Sequence, residues 1–428
     1  MPTTIIVAAL FVSGYLLIAT EQFVKINKAA TAMLTGVACW TVLALGAPAG
    51  HEVMRSLFES TADIAGVLLF LMGAMSIVEI LDSHDGFSPV TAFLAGTGKR
   101  RSLVLVGILS FLLSAVLDNL TTTIVMISLL TKMLPKRDDL LLFSGLVIIA
   151  VNAGGAWSPI GDVTTTMLWI GGQVTSLSIM KRLFLPSLAS LAIPLAWLVL
   201  QTKSDTSGTG DLIAEPPREN GHPASRIIFF LGIGVLLMVP VFRAVTHLPP
   251  FIGMLGGLAV MWIGSEFLHR NEDPKRRHDH SMAAALSRID MQTILFFLGI
   301  LLGISALQTA GILAGVALWL DRAVGNTGII AMAIGLLSSI VDNVPLVAAG
   351  IKMYPLSQFP ANHQFWSLLS YCVGTGGSVL VIGSAAGVAA MGMAKIDFFW
   401  YLKRIAPLAL AGYFAGVGVF LLQRVIGG

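Results

Sequence analysis

Charge is what this 428-residue chain has least of: Asp, Glu, Lys and Arg together make up 11% of it. A soluble domain carries about 25%. With 56% hydrophobic residues and a mean hydropathy of +0.85, a soluble globular protein is excluded. Cysteine is scarce too. Cys39 and Cys372 both sit in apolar runs, so neither a disulfide framework nor a metal cluster is expected. No basic run is interleaved with aromatics and the net charge is only +3, so nucleic acid is not a partner. The opening stretch, MPTTIIVAALFVSGYLLIAT, has neither a basic n-region nor a small-residue cleavage site. It reads as a first span rather than a signal peptide. What the chain does have is long apolar runs, with room for roughly a dozen spans of about 20 residues.

One long hydrophilic break, KSDTSGTGDLIAEPPRENGHPAS over 203–225, divides the chain almost equally. The two halves align with each other at a nearly constant offset. Met33-Leu34-x-Gly36 recurs as Met254-Leu255-x-Gly257, and Leu69-Phe70-x-x-Gly73 as Leu295-Phe296-x-x-Gly299. Asp118-Asn119 recurs as Asp342-Asn343, and Gly154-Gly155 with Ile160-Gly161 as Gly376-Gly377 with Ile382-Gly383. Four ordered matches mark an internal repeat, the plan of many secondary transporters.

Each half divides into five full spans and one odd segment. In repeat 1–202 the spans lie near 4–20, 29–47, 61–81, 140–172 and 182–202, and the odd segment is 101–134. In repeat 226–428 they lie near 226–242, 250–268, 291–311, 364–393 and 399–423, and the odd segment is 327–353. Each leg of an odd segment covers about 24 Å as helix, against a hydrocarbon core of about 30 Å. The polar Asp-Asn falls at the bend. Each odd segment is therefore expected to be a re-entrant hairpin, buried in protein or lining a cavity. An odd number of spans per half makes the repeats inverted in topology. The expected fold is an all-α polytopic membrane protein with hairpins at 101–134 and 327–353. Its spans at 140–172 and 364–393 should be discontinuous at the midplane.

The basic residues agree with this layout. With both termini external, Arg55, Lys181, Arg182, Arg243, Arg322, Lys352 and Arg424 fall outside, and the rest of the 26 Lys and Arg fall inside. That is the positive-inside bias of an inner-membrane protein. It places 203–225 and 269–290 in the cytoplasm.

Asp118, Asp162 and Asp342 are the acidic residues set deepest in apolar sequence. Each costs about 2.5–3.5 kcal/mol at the bilayer centre on insertion scales. One buried Asp could be a structural cap. Two at repeat-equivalent positions, each followed by Asn, point to a shared function. The partner element is VNAGGAWSPIGDVTTTM, 151–167, where Gly154, Gly155, Pro159 and Gly161 are expected to break the helix. Its mate, VGTGGSVLVIGSAAGVA at 373–389, keeps the glycines but has Ser384 where Asp162 stands.

Carboxylate, amide and hydroxyl oxygens suit a small hard cation such as Na+ or Li+. No basic residue lies deep in a span to receive an organic anion. The candidate ligands are Asp118, Asn119, Asn152, Ser158, Asp162, Thr164 and Thr165, with Asp342, Asn343, Ser378 and Ser384 as the symmetry-related set. The extra carboxylate of the first half puts the main Na+ site there, on Asp118, Asn119, Asn152, Asp162 and Thr164. Carboxylates buried together resist being ionised all at once, while a bound cation favours the ionised form. Protons and Na+ would then compete for the same oxygens, which is antiport without separate sites. No cofactor is called for.

Asp118-Asn119-Leu120-Thr121-Thr122-Thr123, Asn152 through Asp162, and Ser338-Ser339-Ile340-Val341-Asp342-Asn343 together resemble the NhaD-type sodium/proton antiporters of the ion transporter superfamily. Dicarboxylate/sodium carriers and arsenite pumps are relatives. The resemblance covers essentially the whole chain. It implies paired re-entrant hairpins with binding motifs at their tips, an elevator-like transport domain beside a scaffold, and a homodimer. In the dicarboxylate carriers the tips typically read Ser-Asn-Thr. Here Asp replaces that Ser in both halves, which favours a cation without an organic co-substrate.

An arsenite or organic-anion carrier is the alternative in substrate, and a channel the alternative in mechanism. Asp118 and Asp342 also offer the outline of an intramembrane aspartyl dyad, but their symmetric placement favours transport over an enzyme. His51, His84, His269, His278 and His280 fall in or beside loops. They are expected to be solvated, with pH sensing as the functional alternative.

Overall fold

The computed structural model describes residues 2–19, 25–46, 50–84, 98–202, 223–269, 282–340 and 342–427. Among these residues all regular structure is helical. In the first half the helices are α1 (Pro2–Ala19), α2 (Lys28–Gly46), α3 (Gly50–Ser83), α4 (Lys99–Leu117), α5 (Asn119–Met133), α6 (Arg137–Ala156), α7 (Val163–Ile170) and α8 (Ser176–Gln201). The second half has α9 (Pro223–Thr246), α10 (Pro250–His269), α11 (Met282–Arg288), α12 (Met291–Thr309), α13 (Ile312–Ala323), α14 (Thr327–Leu337), α15 (Asn343–Met353), α16 (Gln364–Gly376), α17 (Ala385–Ala394), α18 (Phe398–Arg404) and α19 (Ala406–Gly427). Among the described residues nine helices are long and apolar enough to cross a membrane, or ten if α13 and α14, bent by 119°, form one span. Backbone groups cannot go unpaired in hydrocarbon, so helices are the natural solution for such a chain.

The helices sort into two packed groups. One joins α1, α2, α3, α9, α10 and α12; the other joins α4, α5, α6 and α8 with α14, α16, α17 and α19. Between them lie α7, touching α3, α15 and α16, and α15, touching α7, α12, α13 and α16. Within the second group α4, α5, α6, α8 and α17 share an apolar core around Phe111, Phe143, Leu146, Ile148 and Tyr401, while α14 and α16 pack into the core that holds α2, α3 and α12.

The structure changes several details of the sequence reading. Helix α3 starts at Gly50, well before the expected span at 61–81. Its extra turns carry Glu52, Arg55 and Glu59, and Arg55 meets Glu59 one turn on at 2.8 Å. Charge kept those turns out of the apolar count, yet such i,i+4 pairs support exposed helix. Helix α13 fills the stretch between the expected span at 291–311 and the odd segment at 327–353, where no element is expected.

The glycines of 151–167 also act differently from expectation. Helix α6 runs through Gly154 and Gly155 to Ala156, and the break covers 157–162. A Cβ at Gly154 would lie 2.2 Å from the Phe111 carbonyl oxygen of α4, and one at Gly376 would lie 1.9 Å from that of Gly335 in α14. These glycines let two backbones touch rather than break the ladder. Pro159 and Gly161 do fall within the break.

His84 is buried at the end of α3, not solvated. Its Nδ1 lies 2.6 Å from the Ile80 carbonyl oxygen and its Nε2 lies 3.3 Å from Ser265 Oγ of α10. The side chains of His51 and His269, and all of His278 and His280, lie outside the described residues, as does 203–222 of the hydrophilic break.

Candidate ion-binding site

Four helices begin on candidate residues, and the local chemistry of each start is a side-chain cap. Asp118 Oδ1 accepts from the Thr121 backbone N–H at 2.8 Å and Oδ2 from the Thr121 hydroxyl at 2.9 Å. Asp162 Oδ1 accepts from Thr164 N at 3.2 Å, Asp342 Oδ1 from Val344 N at 3.2 Å, and Ser384 Oγ from Gly387 N at 3.2 Å. Thus α5, α7, α15 and α17 each start on a favoured capping residue. A carboxylate offers about four lone-pair directions, so one or two cap bonds leave oxygen capacity for a cation. Asp118 also sits at φ 76° and ψ 161°, a region costly for any residue but Gly. Asp342 does not, with φ −48°.

Side chains then tie these starts together across the two halves. Asn119 Nδ2 donates to Asn152 Oδ1 at 3.1 Å, and Asn152 Nδ2 donates to Ser384 Oγ at 3.1 Å. Asn343 Nδ2 faces both oxygens of Asp162, at 3.5 and 3.3 Å. Asn152 is fully buried and Asp162 is 1% exposed. Asp162 is also within electrostatic reach of Asp342 and Asp118. Asp118 is only partly buried and lines a cavity with Phe70, Ala74 and Met75 of α3, Val116 of α4 and Thr166 of α7. Lys28, at the start of α2, is within electrostatic reach of Asp342.

Two hydroxyls complete the setting. The Thr164 hydroxyl, buried at the start of α7, lies within reach of the Asp162 carboxylate, and the Thr122 hydroxyl is buried on α5. Four helix N-termini carry partial positive charge, but three already hold a carboxylate, so a further anion would meet negative charge. Among the described residues no cluster of three or more His, Cys, Asp or Glu could hold a resident metal.

Three of the sequence-chosen residues do not join this network through the bonds they make. Ser158 Oγ accepts from Ile160 N at 3.4 Å within its own turn. Ser378 Oγ donates to the Thr375 carbonyl at 2.6 Å. Thr165 Oγ1 lies 3.0 Å from Ser370 Oγ of α16. Sequence reasoning in turn passed over serines that fasten α4 to α6 and the end of α14 to α16. Ser114 Oγ donates to the Val151 carbonyl at 2.6 Å, and Ser338 Oγ donates to that of Val373 at 2.9 Å. Both serines stand four residues before an Asp-Asn pair, so the repeat alignment carried the signal. Thr122 had no such mark, because its repeat position is apolar.

A family model described as "Citrate transporter" matches residues 15–369. The chain is 48% identical over 97% of its length to "Sodium/proton antiporter 1" of Arabidopsis thaliana, covering 71% of that protein. It is 45% identical to "Sodium/proton antiporter 2" of the same plant, covering 97% of this chain and 98% of that one. It is also 32% identical to "Na(+)/H(+) antiporter NhaD" of Vibrio cholerae, over 96% of this chain and 90% of that one. Among solved structures it resembles the YdaH transporter of Alcanivorax borkumensis, with TM-score 0.58, 13% identity and 90% of each chain covered. That last likeness speaks to the fold alone. Helices of membrane-spanning length, a capped and cross-linked polar centre, and these relatives place the chain in one group: it belongs to the ion transporter superfamily, among the NhaD-type antiporters.

Proposed function

We propose that this protein exchanges Na+, and also Li+, for H+ across the inner membrane, using the buried carboxylates as the shared binding groups. The observation that carries the reading is the environment of Asp162. It is a buried carboxylate met by a neutral amide from the other half, with the buried Thr164 hydroxyl beside it. Na+ would bind as carboxylate oxygens lose their proton, and a returning proton would displace it. Asp342 has a cationic neighbour in Lys28, which supports assigning the ion to Asp118, Asn119, Asn152, Asp162 and Thr164. The relatives' names as sodium/proton antiporters support the same ion pair. The family description as a citrate carrier keeps an organic anion as the alternative substrate.

In this reading the repeats 1–202 and 226–428 are inverted in topology, both termini are external, and 203–225 and 269–290 face the cytoplasm. Segments 101–134 and 327–353 are re-entrant hairpins. The matched contacts Ser114–Val151 and Ser338–Val373, and Gly154–Phe111 and Gly376–Gly335, support the repeat. The division into two packed groups supports an elevator-like movement of the ion-bearing group against the other, and the assembly proposed for it is a homodimer. The protein is a carrier in this account, not an enzyme.

The test is transport by the purified protein in proteoliposomes under an imposed pH gradient, with Na+, Li+, K+, citrate and arsenite compared. Dissipation of the gradient by Na+ and Li+ is expected. Uptake of citrate or arsenite without Na+-driven proton movement would overturn the reading.

A further inference from the structure

Two of the four helices that begin at the site are fastened at their far ends to the other helix group. Helix α7 starts on Asp162 and ends at Ile170. There the Arg243 guanidinium, from the last turn of α9, lies 4.7 Å from the centre of the Trp169 ring. It also donates to the Trp169 carbonyl oxygen. A cation at a helix C-terminus is favoured by the helix dipole, and stacking on a buried indole adds to it. Helix α15 starts on Asp342 and Asn343, and in its last turn Lys352 Nζ lies 3.5 Å from Asp63 Oδ2 of α3. At their near ends α7 and α15 meet through Asp162 and Asn343.

The other pair is held differently. Helix α17 packs on α5 and α6 within the second group. At its end Arg137 of α6 donates to the Lys395 carbonyl oxygen at 3.4 Å. The fastening across the groups is therefore one-sided. Arg243 and Lys352 both fall on the side that the basic-residue distribution makes external.

We propose that Arg243 is a positioning residue for exchange. With Lys352 as a weaker second point, it latches the ion-bearing helices to the α3–α9 face, so that the ion site faces one side and movement to the other requires the latch to open. The proposal rests on the two-group movement described above. A carrier that moves must break this contact once per cycle, and its strength then sets the balance between the two orientations.

The first test uses Arg243→Gln in full-length protein, reconstituted in one orientation, with the Na+ half-saturation measured from each face. Opening the latch repopulates the opposite orientation. Half-saturation should rise on one face and fall on the other, by about 3- to 10-fold for a partly exposed stacking contact plus one charge-assisted bond. Lys352→Gln should move both values in the same senses by about 2-fold, because its partner Asp63 is 75% exposed. Equal shifts on both faces, or none, would overturn the latch.

The second test closes the contact instead of opening it, with a covalent bridge in place of the Lys352–Asp63 pair. Asp63→Cys with Lys352→Cys is bridged by a cleavable bifunctional thiol reagent; the native Cys39 and Cys372 are buried. Exchange should stop on bridging and return on cleavage. Undiminished exchange in bridged protein would refute the proposal while leaving the ion reading intact. Absence of any Na+-driven exchange from the unaltered protein would remove the ion reading instead.

Discussion

Asn152→Ala removes the middle of the chain that runs from Asn119 to Ser384. The Asn152 amide is fully buried, accepts one hydrogen bond at 3.1 Å and donates another at 3.1 Å. Truncation leaves the Asn119 amide without its partner, while Ser384 Oγ keeps its bond from Gly387 N. One orphaned buried donor costs about 1–3 kcal/mol, and the second lost bond adds about 1. For a chain of 428 residues, a loss of about 3 kcal/mol lowers the melting temperature by roughly 3 °C. The variant should therefore still fold. If Asn152 Oδ1 also faces the ion, losing it weakens Na+ by about 5- to 30-fold, the equivalent of roughly 1–2 kcal/mol. The assay is the melting temperature as a function of Na+ concentration, since a ligand that binds only the folded state raises it by mass action. Wild type and variant should differ both in the starting temperature and in the Na+ concentration that gives half the rise. A lowered starting temperature with an unchanged Na+ midpoint would show that the chain of amides only braces the helices, and the ligand argument would fail.

Asp118→Asn should abolish exchange, because an amide keeps the cap bond geometry but can neither release a proton nor neutralise a cation. Asp342→Asn should keep calorimetrically measurable Na+ binding while slowing transport, and normal exchange by Asp118→Asn would make that carboxylate purely structural. Gly154→Ala places a methyl group 2.2 Å from the Phe111 carbonyl and should destabilise by about 1–3 kcal/mol through overpacking; an unchanged melting temperature would show that α4 and α6 yield without strain. His363 caps α16 at 3.2 Å, and its pKa is held below the ordinary 6.5 by burial and then by the nearby Arg182 and Arg424. The unfolded chain then takes up its proton first as pH falls, so stability from neutral His363 is present above about 6.5 and is lost below it. His363→Gln should flatten the fall in melting temperature between neutral and mildly acid pH, and an equally steep fall in the variant would discard this origin.

Much of this protein was written in the order of its residues. Low charge and long apolar runs dictate a helical membrane protein, because hydrocarbon leaves the backbone no partner but itself. The matched Asp118-Asn119 and Asp342-Asn343 are visible in the sequence because the repeat preserves local chemistry at fixed offsets. Their positions at the starts of α5 and α15 follow, since Asp is a capping residue. Tertiary structure alone decided what those residues face. Nothing in sequence spacing says that Asn343 meets Asp162, or that Asn152 joins Asn119 to Ser384, because these partners sit on different helices, two of the three pairs on different halves, and meet only once the helices pack. The same limit applies to Gly154. Read along one helix it looks like a breaker, and only the backbone of α4 beside it shows that the missing side chain makes room. Arg243 reads as a basic residue at a membrane boundary, and its place over Trp169 exists only because α9 and α7, from different halves, end side by side.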